Sequence, residues 1–240
     1  AEAVNKTEQV AQVGESNKRN MIVFFLVAVA IIVLYQIPYG WYALYPLRLF
    51  FTYVHEMGHG LTAMLVGGDF VDFKMWANGS GVASSYTPDS SISKALVSAG
   101  GLLGPAFLSA ILFIFARFQR FSKKFMGFFA VLCALSGVFY VRNLFGIFFV
   151  ALLCLFLGFI AYKAKASIAQ IVLIVLAIGL CTSTVAESDY LFMDYAQTDA
   201  GLLPSDTQQI SNHLILPYWF WGGVVGLISI AILILGVYAF

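Results

Sequence analysis

The chain has 240 residues, 61% of them hydrophobic and only 10% charged, with a mean hydropathy of +0.89. A soluble domain carries about 25% charged residues, so this composition excludes one and marks an integral, multi-pass membrane protein in contact with the lipid bilayer. The net charge of +1 argues against nucleic acid as a partner.

Residues 1–20 are polar and mixed in charge. They lack the basic-then-apolar order of a signal peptide and read as a flexible tail. A membrane span needs about 20 apolar residues. On that measure seven spans are expected, at 21–37, 43–66, 92–115, 125–141, 144–162, 168–185 and 217–238, giving an all-α polytopic fold. Pro38-Tyr39-Gly40-Trp41 breaks the first span from the second.

Gly67-Gly68 stops the second span as glycines commonly stop a helix. After it, 69–76 and 82–86 flank Asn78-Gly79-Ser80-Gly81, a strong turn signal, so a small β-hairpin is expected over 68–87. Arg142-Asn143 reads as a tight turn between the fourth and fifth spans. Residues 187–216 form a polar loop with Asp189, Asp194, Asp199 and Asp206 and no basic residue. Pro217, Trp219 and Trp221 then mark a membrane interface. With seven spans, the tail, hairpin, Arg142 and acidic loop share one side, and the basic residues of the connections tie at six a side. Short connections alone favour the Arg117–Lys124 side as cytoplasmic. Cys133, Cys154 and Cys181 fall in apolar stretches at unrelated spacings and read as small buried hydrophobes.

Two of the three histidines lie in one window, His55-Glu56-Met57-Gly58-His59. On a helix, residues four apart share a face, so both imidazoles can address one metal ion. Glu56 between them can hold or deprotonate a water on that ion. This is the H-E-x-x-H arrangement of zinc hydrolases. An apolar segment gains nothing from three ionisable groups unless they work, because burying them uncompensated costs several kcal/mol, of order 2–7 per polar group. Zn2+ is therefore the expected cofactor, with Glu56 as general base.

Catalytic zinc usually takes three protein ligands and leaves one position open. His55 and His59 supply two. A carboxylate of the acidic loop is the better source of the third, although His213 is possible. Asp189 ranks first because it lies where the sixth span ends; Asp194 ranks second and Asp206 third. Asn143 reads as part of a solvated turn, with substrate or oxyanion binding as the alternative. Gly58 leaves room for another helix or a substrate to approach the metal, and Gly100-Gly101-Leu102-Leu103-Gly104-Pro105 offers a surface for tight helix packing.

Taken in order, the motif, Gly67-Gly68, the Asn78-Gly79-Ser80-Gly81 turn, Gly104-Pro105 and Ser205-Asp206-Thr207-Gln208-Gln209 resemble the site-2 protease class of intramembrane zinc metalloproteases. The resemblance is greatest to its peptidase M50B-like branch, and covers most of the chain from Tyr53 onward. It implies a metalloprotease-like domain over 21–240, zinc bound by His55 and His59, Glu56 as the catalytic residue, and a distant aspartate completing the site. It also implies a membrane-anchored protein substrate, partly unwound, which strand residues 69–76 could hold by edge pairing. One departure stands out. Better-studied members take their third ligand from an Asp-Gly motif within a later span, and no aspartate here precedes a glycine. The expected function is a zinc-dependent intramembrane endopeptidase. The competing readings are an inactive relative that binds or sorts membrane partners, and a transporter or channel.

Overall fold

Tyr39, with a left-handed backbone (φ 64°), turns the chain between α1 (Glu2–Gln36) and α2 (Gly40–Leu65) in this computed structural model. Side chains rarely tolerate that conformation. Gly40 completes the turn because a Cβ there would strike the Leu34 carbonyl. The structure describes residues 18–240 and, beyond these, the backbone course of α1 from Glu2. The flexible tail expected over 1–20 carries the first part of this backbone course, and its side chains before Lys18 lie outside the described residues.

After α2 come β1 (Asp69–Met75), β2 (Gly81–Tyr86), α3 (Ser91–Ala116), α4 (Gln119–Phe139), α5 (Leu144–Lys163) and α6 (Ala166–Ala186). A 3-10 helix (Ser188–Phe192), β3 (Tyr195–Thr198), β4 (Gly201–Pro204), α7 (Asp206–His213) and α8 (Tyr218–Ala239) follow. The protein is thus all-α and polytopic, with a small hairpin directly after the motif helix. The segment 187–216 is more ordered than the loop expected there: β3 and β4 pair as a second antiparallel hairpin, and α7 follows it.

Among the described residues, six helices are long and apolar enough to cross a membrane: α1 from Lys18, α3, α4, α5, α6 (with the 3-10 helix) and α8. α2 is not among them, because Arg48, Glu56 and two histidines interrupt its apolar run. Its surroundings explain how the chain accommodates this. Arg19 near the start of α1 donates to Gln119 at the start of α4 (3.3 Å) and to Gln170 at the start of α6 (3.2 Å). From there α1 rises about 25 Å to Gln36, so α2 begins at the other end of the bundle. It also finishes near that end: β1, three residues beyond α2, is hydrogen-bonded to the α4–α5 turn. The motif helix therefore begins and ends toward one end of the bundle, and among the described residues six helices, rather than the seven expected, have the length and composition of a span.

In lipid, helices gain little from burying apolar surface against one another, so close packing and buried hydrogen bonds hold the bundle. α2 and α3 meet through glycines: a Cβ on Gly58 would collide with the backbone of Gly100 and Gly101. Tyr53 on α2 shares a 2.7 Å hydrogen bond with Ser136 on α4, and Ser109 on α3 donates to Ala177 on α6 at 2.8 Å. Gln170, buried at the foot of α6, donates to the last carbonyl of α3 at 2.7 Å. Phe50, Phe73, Phe113, Met126 and Leu173 fill the space between. Cys133 is buried and all three cysteines are free.

The first hairpin follows the expected register, from Asp69 opposite Tyr86 to Met75 opposite Gly81, with an irregularity between Phe70 and Asp72. Asn78 closes the turn by accepting the Ser80 N–H at 2.9 Å, and Gly79 supplies the positive φ of 88°. The outer edge of β1 is occupied. Phe73 donates to Tyr140 O (2.9 Å) and accepts from Arg142 N (3.1 Å). Asn143 continues this pairing through its side chain, accepting the Met75 N–H at 3.1 Å and donating to Met75 O at 2.6 Å. Two expectations change as a result. Asn143 is a strand-edge clamp rather than a solvated turn residue, and the outer edge of β1 is taken at Phe73 and Met75 rather than free for a substrate there. The edge left without a strand partner among the described residues belongs to β2.

Candidate metal centre

α2 places His55 and His59 one turn apart, and their Nε2 atoms stand 3.1 Å from each other. The backbone carbonyl of Val97 on α3 lies 2.9 Å from His59 Nδ1. With Nδ1 donating to that carbonyl, Nε2 keeps its lone pair for the interior, the usual arrangement of an oriented imidazole ligand. α3 can come this close because Gly101 has no Cβ; one there would overlap the His59 ring.

The third group is Asp206, at the first position of α7. Its Oδ2 lies 3.1 Å from His55 Nε2, and its Oδ1 lies 3.3 Å from His59 Nε2. Ligand atoms of His55, His59 and Asp206 all fall within 4.8 Å of one another, the one such group among the described residues. Separations of 3.1–3.3 Å are close to the edge, about 3.3–3.4 Å, of a tetrahedron whose corners lie about 2.0–2.1 Å from its centre. Two imidazoles and one carboxylate also match the donor set of catalytic zinc. Removal from water pushes the Asp206 carboxyl up, but the facing imidazoles, His59 first, outweigh this and hold it well below the usual carboxylate range.

Asp206 is fixed from behind. Ser205 caps α7, accepting the Gln208 N–H at 3.1 Å, and its hydroxyl donates to Met193 O at 2.5 Å. Ser205 N donates to Asp194 O at 2.9 Å, tying the start of α7 to the start of the second hairpin. The Tyr190 hydroxyl donates to Asp206 Oδ2 at 3.1 Å.

The structure therefore brings Asp206, not Asp189, to the histidines. Asp189 is exposed on the 3-10 helix and lines the outer cavity, while the next residue, Tyr190, turns inward. Asp194 is exposed, and its carboxylate accepts the N–H of Tyr195 at 2.9 Å. His213, at the other end of α7, is outside the group. The β3–β4 hairpin makes the difference, because it reverses the chain and carries residue 206 back to α2. The sequence did hold a signal: Ser205 and Gln208, three apart, form a helix-start pair that places Asp206 at the head of a helix.

Glu56 is buried beside the histidines. It lines both a cavity of about 230 Å³ shared with His59 and Asp206 and a wider one of about 670 Å³ that opens past Arg48 and Glu187. β2 passes over it so closely that a Cβ on Gly81 would lie 2.5 Å from Glu56 Oε1. Gly81, Val82, Ala83 and Ser85 of β2 line the inner cavity. Ala196 and Thr198 of β3 face them across it.

A multi-pass membrane protein that gathers an H-E-x-x-H helix, a carboxylate and an open strand edge around one cavity has the make-up of a membrane peptidase. The family model for Peptidase M50B-like proteins matches residues 24–236, and the chain belongs to that family. No curated protein and no solved structure matches it.

Proposed function

We propose that the protein is a zinc-dependent intramembrane endopeptidase that cleaves membrane-anchored protein substrates, with His55, His59 and Asp206 holding the metal. The observation that carries this reading is the convergence of those three side chains at 3.1–3.3 Å beside the buried Glu56. A bound zinc ion would lower the pKa of water toward neutrality and polarise the scissile carbonyl.

The chain's own residues account for the rest. A substrate helix must unwind before its peptide bond can be attacked, and its freed backbone groups then need partners inside the membrane. The free edge of β2 offers them, in the manner of strand addition. This edge takes the role that the sequence suggested for 69–76. A peptide paired there lies over Glu56, because Gly81 and Ala83 line the same cavity as that carboxylate. Glu56 takes a proton from the attacking water and returns it to the departing amine as the C–N bond breaks.

The test is metal analysis and substrate cleavage on the purified chain and two variants. Wild type should hold one zinc per chain and cleave a membrane-anchored reporter. Glu56→Gln should keep the zinc and lose cleavage, and Asp206→Ala should lose both. Zinc retained in Glu56→Gln with cellular cleavage products unchanged would refute the peptidase reading and favour a metal-binding relative without activity.

A further inference from the structure

The described charges divide between the two ends of the bundle. At the end remote from the motif lie Lys18 and Arg19 of α1, Arg117, Arg120, Lys123 and Lys124 around the α3–α4 turn, and Lys163 and Lys165 around the α5–α6 turn. Direct contacts join these segments. Besides the bonds from Arg19 to α4 and α6, Arg117 donates to Ala239 O at 2.9 Å and Lys123 to Tyr162 O at 3.4 Å. No described acidic side chain lies at this end; all from Glu56 onward sit in α2, β1, the approach to α3, or between Glu187 and α7.

The opposite end holds Arg48, Lys74, Lys94 and Arg142. Two of these face carboxylates, Arg48 with Glu187 at 3.4 Å and Lys94 with Asp89 at 2.7 Å. Arg142 is turned onto the last carbonyls of α4, including Val138 O at 3.2 Å. The return of α2 to its starting side creates this imbalance. Had α2 run the length of the bundle, Lys18 and Arg19 would lie with the hairpin; because it starts and ends toward one end, eight described basic residues gather against four. Aromatic rings accompany the cations at the remote end, with Arg120 4.6 Å from the Phe121 ring centre and Lys163 4.7 Å from that of Tyr162. Cations paired with aromatics at helix ends are the composition of a membrane interface.

Basic residues in short connections stay on the cytoplasmic side, and that leaflet carries anionic lipid. We propose that this eight-cation end binds anionic phospholipid headgroups of the cytoplasmic leaflet, so that the cavity containing His55, Glu56, His59 and Asp206 opens on the extracytoplasmic side. Any substrate then meets the site from the side of its external domain. Glu187 and Asp189 line that opening, away from the anionic surface.

Sidedness is read with the full chain in sealed right-side-out vesicles, using a membrane-impermeant maleimide. Asp199→Cys, exposed between β3 and β4, and Lys124→Cys, exposed on α4, report the two ends. Wild type, with its three cysteines inside helices, is the blank. Asp199→Cys should label at least about tenfold more than Lys124→Cys before permeabilisation, and equally after it. The reverse order, or equal labelling in sealed vesicles, overturns the proposal. The lipid arm uses nanodiscs of phosphatidylcholine with and without phosphatidylglycerol. Phosphatidylglycerol should raise the melting temperature at low salt, and the rise should fade at 1 M salt, where charges are screened beyond about 3 Å. A rise that ignores salt, or no rise, overturns the headgroup assignment. Neither readout depends on metal or cleavage.

Discussion

The Tyr190 hydroxyl donates to Asp206 Oδ2 at 3.1 Å and accepts the Asp206 backbone N–H at 3.3 Å, so one side chain grips both ends of that residue. The same ring meets His55 edge-on at 6.1 Å between centres. Groups that orient a metal ligand without touching the metal typically change affinity by about 10–100-fold when removed. Tyr190→Phe keeps the ring packing and deletes only the hydroxyl. It should fold normally and lose zinc affinity within that range, as measured by competition with a chromophoric chelator.

Ser205 sets the position of the same aspartate by a different route. It is fully buried, caps α7 and reaches back to Met193 O. Loss of a helix N-cap costs about 0.5–2 kcal/mol, and here the Met193 contact goes as well. Ser205→Ala should lower the thermal midpoint in detergent and weaken zinc binding, whereas Ser205→Thr should retain most of both.

The glycines around the motif divide into those with no room and those with room to spare. At Gly101 a Cβ would overlap the His59 imidazole, while at Gly158 on α5 nothing lies within 4 Å. Gly101→Ala should therefore displace His59 and abolish stoichiometric zinc. Gly158→Ala should be neutral or stabilising by up to about 1 kcal/mol, the helix-propensity difference between the two residues. Parallel metal analysis and thermal unfolding of the two variants checks the contrast. If both behave alike, the close α2–α3 approach is not what positions His59.

Much of this architecture is legible in the sequence, and the exceptions share a cause. His55, Glu56 and His59 lie in one window, and helical periodicity alone brings the two imidazoles together. The first hairpin is equally local, since Asn78 and Gly79 dictate its turn. Asp206 lies 147 residues beyond His59 along the chain, and two strands of four residues each return it to α2. Tyr195–Thr198 and Gly201–Pro204 are too short and mixed to show alternation against a polar background. The course of α2 was hidden for a related reason. Its run of aromatic and aliphatic residues satisfies the length of a span, and only contacts to distant turns reveal that it returns.

Asn143 gives a separate prediction about the hairpin. Its amide makes both hydrogen bonds that a neighbouring strand would make to Met75, and Met75 is itself completely buried. Asn143→Leu fills the same space but leaves the Met75 N–H and C=O without partners, at a cost of about 1–3 kcal/mol for each buried group. The variant should unfold at a lower temperature, and backbone hydrogen exchange should rise at Phe73 and Met75. Because β1 anchors β2, and β2 passes over Glu56, cleavage should fall further than zinc content does. A drop in zinc content equal to the drop in cleavage would mean that Asn143 supports the metal ligands directly, rather than the strand over them.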